Sequence, residues 1–183
     1  MTHIQTIIEE LTSTVEAIDA TETKELADAV LQANRIFLAG AGRSGLMGKA
    51  FVMRLMHMGL DAYVVGETVT ANLREGDLLI VGSGSGETKT LIPIVEKAQQ
   101  LGGTVAVVTI NPTSTLALLA DLVVKLPGVP KEQTALADET VQPMGSLFEQ
   151  TMLLFYDALI LQIMEDKQLD SQTMYGSETY ETD

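Results

Sequence analysis

Two short stretches carry residue types suited to holding an anion: G-A-G-R-S-G at 40–45 and G-S-G-S-G-E-T at 82–88, each directly after an apolar run. Glycine lets the backbone turn tightly and approach a ligand. A helix starting after such a turn offers unpaired N–H groups and the positive end of its dipole, so an anion is stabilised without a lysine. Ser44, Ser83, Ser85 and Thr88 add hydroxyls, Gly82, Gly84 and Gly86 supply bare backbone between them, and Glu87 closes the second loop. A phosphate monoester has three oxygens to satisfy, and these are donors of the right kind. One such loop would read as a tight turn with serine caps. Two in one parallel sheet lie at the same edge, beyond the strands' carboxyl ends, where open α/β sheets bind ligands. Arg43 and Lys131 are candidate auxiliary cations for the phosphate; both also fit a solvated surface.

Two other readings of these loops compete. G-A-G-R-S-G satisfies the G-x-G-x-x-G dinucleotide fingerprint, with Glu67 placed past the next strand as the ribose acid. A second, serine-rich loop is unnecessary for a dinucleotide and useful for a phosphosugar. G-S-G-S-G-E-T is not a P-loop, because the Walker lysine is missing.

The third stretch is Q-P-M-G-S-L-F-E-Q, 142–150, at the head of a long apolar segment. Glu149 there is a candidate general base, since the apolar helix around it would withdraw water from the carboxylate. The competing reading is a capping box, because S-L-F-E at 146–149 fits S-x-x-E. Pro143 suits a first helical turn and would start the helix before Ser146, which weakens the capping reading. His57, at the end of R-L-M-H-M-G, is a candidate donor to a developing oxyanion; a packed core residue or a helix-dipole partner is the alternative. Glu67 is a further candidate carboxylate. Glu87 in the first turn of its helix is explained by the dipole.

The elements that must position these groups alternate. An apolar seam, Ile4, Ile8, Leu11, Val15 and Ile18, marks a helix over 3–19, facing either the domain's own core or a second subunit. A second helix covers about 22–34. Strands are expected at 35–40, 61–66, 77–82, 104–110 and 121–126, with helices at 44–58, 87–101 and 114–119. Continuous β-branched runs indicate strands buried on both faces, and the alternation implies a parallel sheet with right-handed crossovers. The expected fold is three-layer α/β, about five parallel strands with helices on both faces, in a single domain. Pro93 falls inside the 87–101 helix and should kink it. Residues 127–142 lack periodicity and read as a long loop, 143–167 as a buried helix, and 168–183 as a polar tail.

Composition narrows the partners. The 183 residues hold 46% hydrophobic and 20% charged residues, as a globular chain does, with a net charge of −14. So acidic a surface opposes binding to nucleic acid or an anionic membrane. With no Cys and two His, thiol chemistry is excluded and a His-rich zinc site is not expected. The N-terminus lacks the layout of a signal peptide, and no run reads as long and clean enough to span a membrane, which fits a cytoplasmic protein.

The two glycine loops, with A-G-A-G-R-S-G-L-M-G-K-A-F-V-M-R-L-M-H-M-G, I-N-P-T-S-T-L-A and Q-P-M-G-S-L-F-E-Q-T-M-L-L-F-Y-D-A-L-I, resemble the sugar isomerase (SIS) domain, and within it the 6-phospho-3-hexuloisomerases. The resemblance covers about residues 1–174, and Q-P-M-G-S-L-F-E-Q is its more specific signature. It implies conversion of D-arabino-3-hexulose 6-phosphate to D-fructose 6-phosphate without a metal or organic cofactor. Ser44 and the 82–88 loop would hold the substrate, and Glu149 would be the base. It further implies a homo-oligomer, with a tetramer favoured, and functional pairing with a hexulose-6-phosphate synthase. The alternatives are an aldose–ketose isomerase such as arabinose-5-phosphate isomerase and a non-catalytic sugar-phosphate-binding module. One stretch departs from the family pattern: the final M-Y-G-S-E-T-Y-E-T-D has no His, where family members commonly end in a His-containing tail.

Overall fold

A computed structural model describes residues 2–129, 140–170 and 174. Lys131 and the last nine residues of the tail lie outside the described residues. Five strands, β1 (Ile36–Gly40), β2 (Ala62–Val64), β3 (Leu78–Gly82), β4 (Thr104–Thr109) and β5 (Leu122–Lys125), form one all-parallel sheet in the order β2-β1-β3-β4-β5. β1 and β3 pair from Ile36 with Leu78 to Gly40 with Gly82, so both glycine loops leave the same edge side by side. The chain reverses direction across the sheet between β1 and β3, the switch point at which such sheets bind ligands.

Alternate residues of the central strands feed two apolar layers. Leu38, Ile80, Ala106 and Val108 point to one face, and Phe37, Leu79, Val81 and Val107 to the other. The first layer is covered by α2 (Ala20–Gln32), α3 (Gly42–His57) and α6 (Ser146–Lys167), the second by α4 (Ile92–Gln100) and α5 (Thr115–Leu119). At the opposite sheet edge, buried Asp77 accepts two bonds from Arg35, from Nε at 3.2 Å and from Nη2 at 2.8 Å.

α6 is long and apolar enough to cross a membrane by length and composition, yet 56% of that window is buried inside the domain. Phe51 of α3 stacks on Tyr156 of α6 with ring centroids 4.4 Å apart and planes 10° apart. Both rings are fully buried, and burying a large apolar side chain contributes about 1.5–3 kcal/mol. This contact fixes α3 and α6 side by side, with their N-termini at the pocket edge.

Two expectations about helix starts are corrected. The segment after β3 stays non-helical to Leu91, and α4 begins at Ile92 with Pro93 in its first turn, where a missing N–H costs nothing and no kink arises. α6 begins at Ser146 rather than at Pro143, after a left-handed Gly145 at φ 85°. α1 (His3–Val15) carries its seam outward: Ile4 is 67% exposed and Ile8 56%.

Candidate active site

The β1–α3 turn depends on two bare backbones in contact. A Cβ on Gly45 would stand 2.6 Å from the Gly40 oxygen, and one on Gly40 would stand 2.9 Å from Gly45 Cα. No side chain caps the first turn of α3, whose N-cap is Ala41. Its opening residues Ala41, Gly42 and Ser44 instead line a cavity of about 190 Å³. Gly82, Ser83, Gly84, Ser85 and Thr88 complete the polar wall, while Ile110, Val129 and Phe148 form an apolar one. The helix N-termini at this pocket are therefore those of α3 and α6, not the one expected after the 82–88 loop.

That loop is tied to itself and to its neighbours. Ser83 Oγ lies 2.9 Å from Thr88 Oγ1 and accepts the Gly86 N–H at 3.2 Å. Ser85 Oγ accepts the Glu87 N–H at 3.2 Å. The Gly84 carbonyl accepts from Thr109 Oγ1 and from the Ile110 N–H, both at 3.1 Å. Gly86 sits at φ +67°, where a side chain is strained, and shapes the loop without lining the cavity. A loop so held has little ordering left to lose when an anion arrives.

Glu87 does not open a helix. Its carboxylate accepts from the Thr115 hydroxyl at 2.7 Å and the Thr115 N–H at 2.8 Å, capping α5. Those two bonds hold its carboxyl below the usual carboxylate value.

Glu149 is 2% exposed, on the first turn of α6, with Oε2 3.0 Å from Arg43 Nε on the first turn of α3. Arg43 Nη1 also reaches Ser146 Oγ at 3.4 Å, and that hydroxyl donates to the Pro143 carbonyl at 2.8 Å. The capping box is not formed: the Glu149 N–H donates to the Gly145 carbonyl, and Ser146 is the first helical residue rather than the cap. Glu149 follows Phe148, which lines the cavity, and Arg43 precedes Ser44, which also does; neither Glu149 nor Arg43 is itself among the lining residues.

The other candidates lie elsewhere. His57 is buried at the far end of α3, its Nδ1 3.1 Å from Arg54 Nη1. Thirteen helical steps separate it from Ser44, about 20 Å at 1.5 Å each, so it cannot serve the same pocket within one chain. Glu67 is half-exposed and paired with Lys49, outside the cavity lining. Ile110, Val129, Gly145 and Phe148 escaped the sequence reading, although Ile110 opens I-N-P-T-S-T-L-A and the other signature stretch holds Gly145 and Phe148.

The SIS domain family matches residues 29–160. This chain belongs to the SIS-domain family. It is 56% identical to the 3-hexulose-6-phosphate isomerase of Bacillus subtilis (strain 168) over 94% of either chain. The SIS chain is also 38% identical to the 3-hexulose-6-phosphate isomerase of Methylomonas aminofaciens over 92% of either chain. Its fold superposes at a TM-score of 0.82 on a crystal structure from Methanococcus jannaschii, 28% identical and covered over 98% of both chains. For that structure a function of 3-hexulose-6-phosphate isomerase was inferred. Both loops fall within the family match, and so does Glu149.

Proposed function

We propose that this SIS-domain protein is a phosphosugar isomerase that converts D-arabino-3-hexulose 6-phosphate to D-fructose 6-phosphate through an enediolate. The observation that carries the reading is a buried carboxylate, Glu149, held by Arg43 beside a cavity lined with hydroxyls and glycine backbone. The similarity to 3-hexulose-6-phosphate isomerases supports the same reaction.

In this mechanism the phosphate sits among Ser44, Ser83, Ser85, Thr88 and the backbone of the 82–88 loop. Glu149 takes the C2 proton, leaving an enediolate across C2 and C3. The same carboxylate, whose proton exchanges in part with solvent, returns a proton to C3, while the O2 hydroxyl proton passes to O3, so the carbonyl moves from C3 to C2 with no net change in atoms. One base suffices because both carbons lie on one edge of the planar intermediate. Arg43, half-exposed and already within reach of Glu149, supplies positive charge where the enediolate oxygens develop. A 3-ketose with O6 phosphorylated has no free hydroxyl that closes a five- or six-membered ring, so it needs no ring-opening acid.

The reading extends to assembly and place. The chain acts as one domain in a homo-oligomer, with a tetramer favoured. The outward apolar stripe of Ile4, Ile8 and Val15, with exposed Leu154 beside it, supports burial against another copy. Light scattering on the eluted protein tests that mass. Phosphorylated sugars do not cross membranes unaided, so the enzyme works in the cytoplasm, fed by a synthase that makes the hexulose phosphate.

The experiment couples the protein to such a synthase, with ribulose 5-phosphate and formaldehyde, and follows fructose 6-phosphate. Appearance of product dependent on this protein supports the reading. Conversion of arabinose 5-phosphate with no action on the hexulose phosphate contradicts it.

A further inference from the structure

One carboxylate ties α1 to the segment that leads into α6. Glu10 Oε1 accepts the Val141 N–H at 2.7 Å, and Oε2 accepts the Thr140 hydroxyl at 2.8 Å and the Gln142 amide at 2.9 Å. Three consecutive residues from the far end of the chain thus converge on one side chain. Thr140 Oγ1 in turn accepts the Gln142 N–H at 3.0 Å, and Gln142 is buried. Hydrogen bonds to an ionised acceptor are roughly twice as strong as neutral ones.

The turn between this clamp and α6 is closed by its own bond but sets a non-glycine residue in the left-handed region. Met144 and Gly145 have successive positive φ angles of 58° and 85°. Methionine in that region is disfavoured, and the Met144 side chain, 74% exposed, has little packing to compensate. Such a conformation persists when the structure on both sides over-determines it. On the α6 side, the Ser146 N–H and hydroxyl both bond the Pro143 carbonyl, at 3.0 and 2.8 Å. On the other side the hold is Glu10. Gly145 and Phe148 line the cavity, and Glu149 is one residue further on.

We propose that Glu10 is a positioning residue for the isomerase reaction: it clamps residues 140–142 so that the left-handed turn delivers Phe148 and Glu149 to the pocket. The role rests on the reading of Glu149 as the base. Glu10 touches no reacting atom. Its effect is on the placement of the carboxylate, and therefore on kcat more than on the phosphate grip, which the separate loop 82–88 supplies.

The test compares wild type, Glu10→Gln, Glu10→Ala and Asp19→Ala in the coupled isomerase assay, with amide exchange at Val141 measured in parallel. Asp19 caps α2 through the N–H groups of Thr21 and Glu22, so its loss lowers stability without touching 140–142. Glu10→Ala is expected to speed exchange at Val141 and to lower kcat roughly ten- to hundredfold, with KM within about threefold of wild type. Glu10→Gln keeps an acceptor for Val141 but cannot also accept from the Gln142 amide, so it should fall between, and it serves alone if the alanine variant does not fold. Asp19→Ala should keep the wild-type kcat. A wild-type kcat in folded Glu10→Ala or Glu10→Gln overturns the proposal, and so does an equal loss in Asp19→Ala. An inactive wild type overturns the underlying base reading instead.

Discussion

Replacing Gly86 with alanine separates two costs that the structure predicts independently. The backbone there sits at φ +67°, where a Cβ costs about 1–2 kcal/mol. The new Cβ would also stand 1.9 Å from Ser114 Oγ and 2.4 Å from Ser114 Cβ. Ser114 is buried and begins α5, so it has little room to yield, and overpacking of this kind costs about 1–3 kcal/mol. The sum is about 2–5 kcal/mol, a large share of the roughly 5–15 kcal/mol that holds a typical domain folded. At a urea dependence of about 2 kcal/mol per molar, the midpoint should drop by about 1–2.5 M. Gly86 also donates its N–H to Ser83, so KM for the phosphosugar should rise as the loop distorts. The discriminating variant is Gly86→Ala combined with Ser114→Gly. Glycine in place of serine at a helix N-cap costs only a few tenths of a kcal/mol, and it removes the atoms in the way. The double variant should therefore be more stable than Gly86→Ala alone by about 1–2 kcal/mol. Urea unfolding of the three proteins at one concentration decides it. A cost below about 1 kcal/mol for Gly86→Ala, or no recovery in the double variant, would mean that Ser114 and the left-handed backbone do not resist the added methyl.

Arg43→Met should lower kcat about 10–1000-fold by removing the charge beside Glu149, with Arg43→Lys recovering part of the loss in steady-state kinetics. Ser83→Ala and Thr88→Val should each raise KM about tenfold or more, since one hydrogen bond to a charged group contributes about 1.5–3 kcal/mol; unchanged KM values would remove these hydroxyls from the phosphate site. Tyr156→Phe deletes a fully buried hydroxyl with no hydrogen-bond partner among the described residues, so stability should rise by about 1 kcal/mol in urea unfolding; a clear loss would mean that the hydroxyl is bonded. Burial pushes the Glu10 carboxyl up, but bonds from Gln142, Val141 and Thr140 outweigh it and hold the group below its usual value. Its contribution is therefore full above the ordinary glutamate range and lost as pH falls through the lower folded-state value. Wild type should lose more stability than Glu10→Gln between about pH 5 and 3, and parallel pH curves would contradict this.

The sheet was legible because its signal is local. Unbroken short runs such as Leu78–Val81, bounded by Asp77 and Gly82, read as strands buried on both faces, and their order with the intervening helices leaves few topologies. The glycine loops were legible for the same reason, since each joins a strand to a residue set that needs bare backbone. The start of α4 was misread although Pro93 marked it: proline belongs in a first turn, and Glu87 drew the boundary too early because it caps α5 across space. S-L-F-E matched a capping box in sequence, but the left-handed Gly145 moved the helix start by one residue and freed Glu149 from that role. Arg43 beside Glu149 could not be read from spacing at all. The two meet because the Phe51–Tyr156 stack aligns α3 with α6, a contact set by packing rather than by pattern. His57 lies at the other end of α3 simply because it is the last residue of that helix.

In the proposed mechanism Glu149 moves a proton between C2 and C3. The most direct measurement incubates fructose 6-phosphate with the protein in D2O and follows the C3 hydrogen by NMR, for wild type and Glu149→Gln. Wild type should exchange deuterium into C3, and Glu149→Gln should lose that exchange while still binding the phosphosugar. Exchange at C3 that persists in Glu149→Gln, or exchange confined to C1 in wild type, would contradict the account.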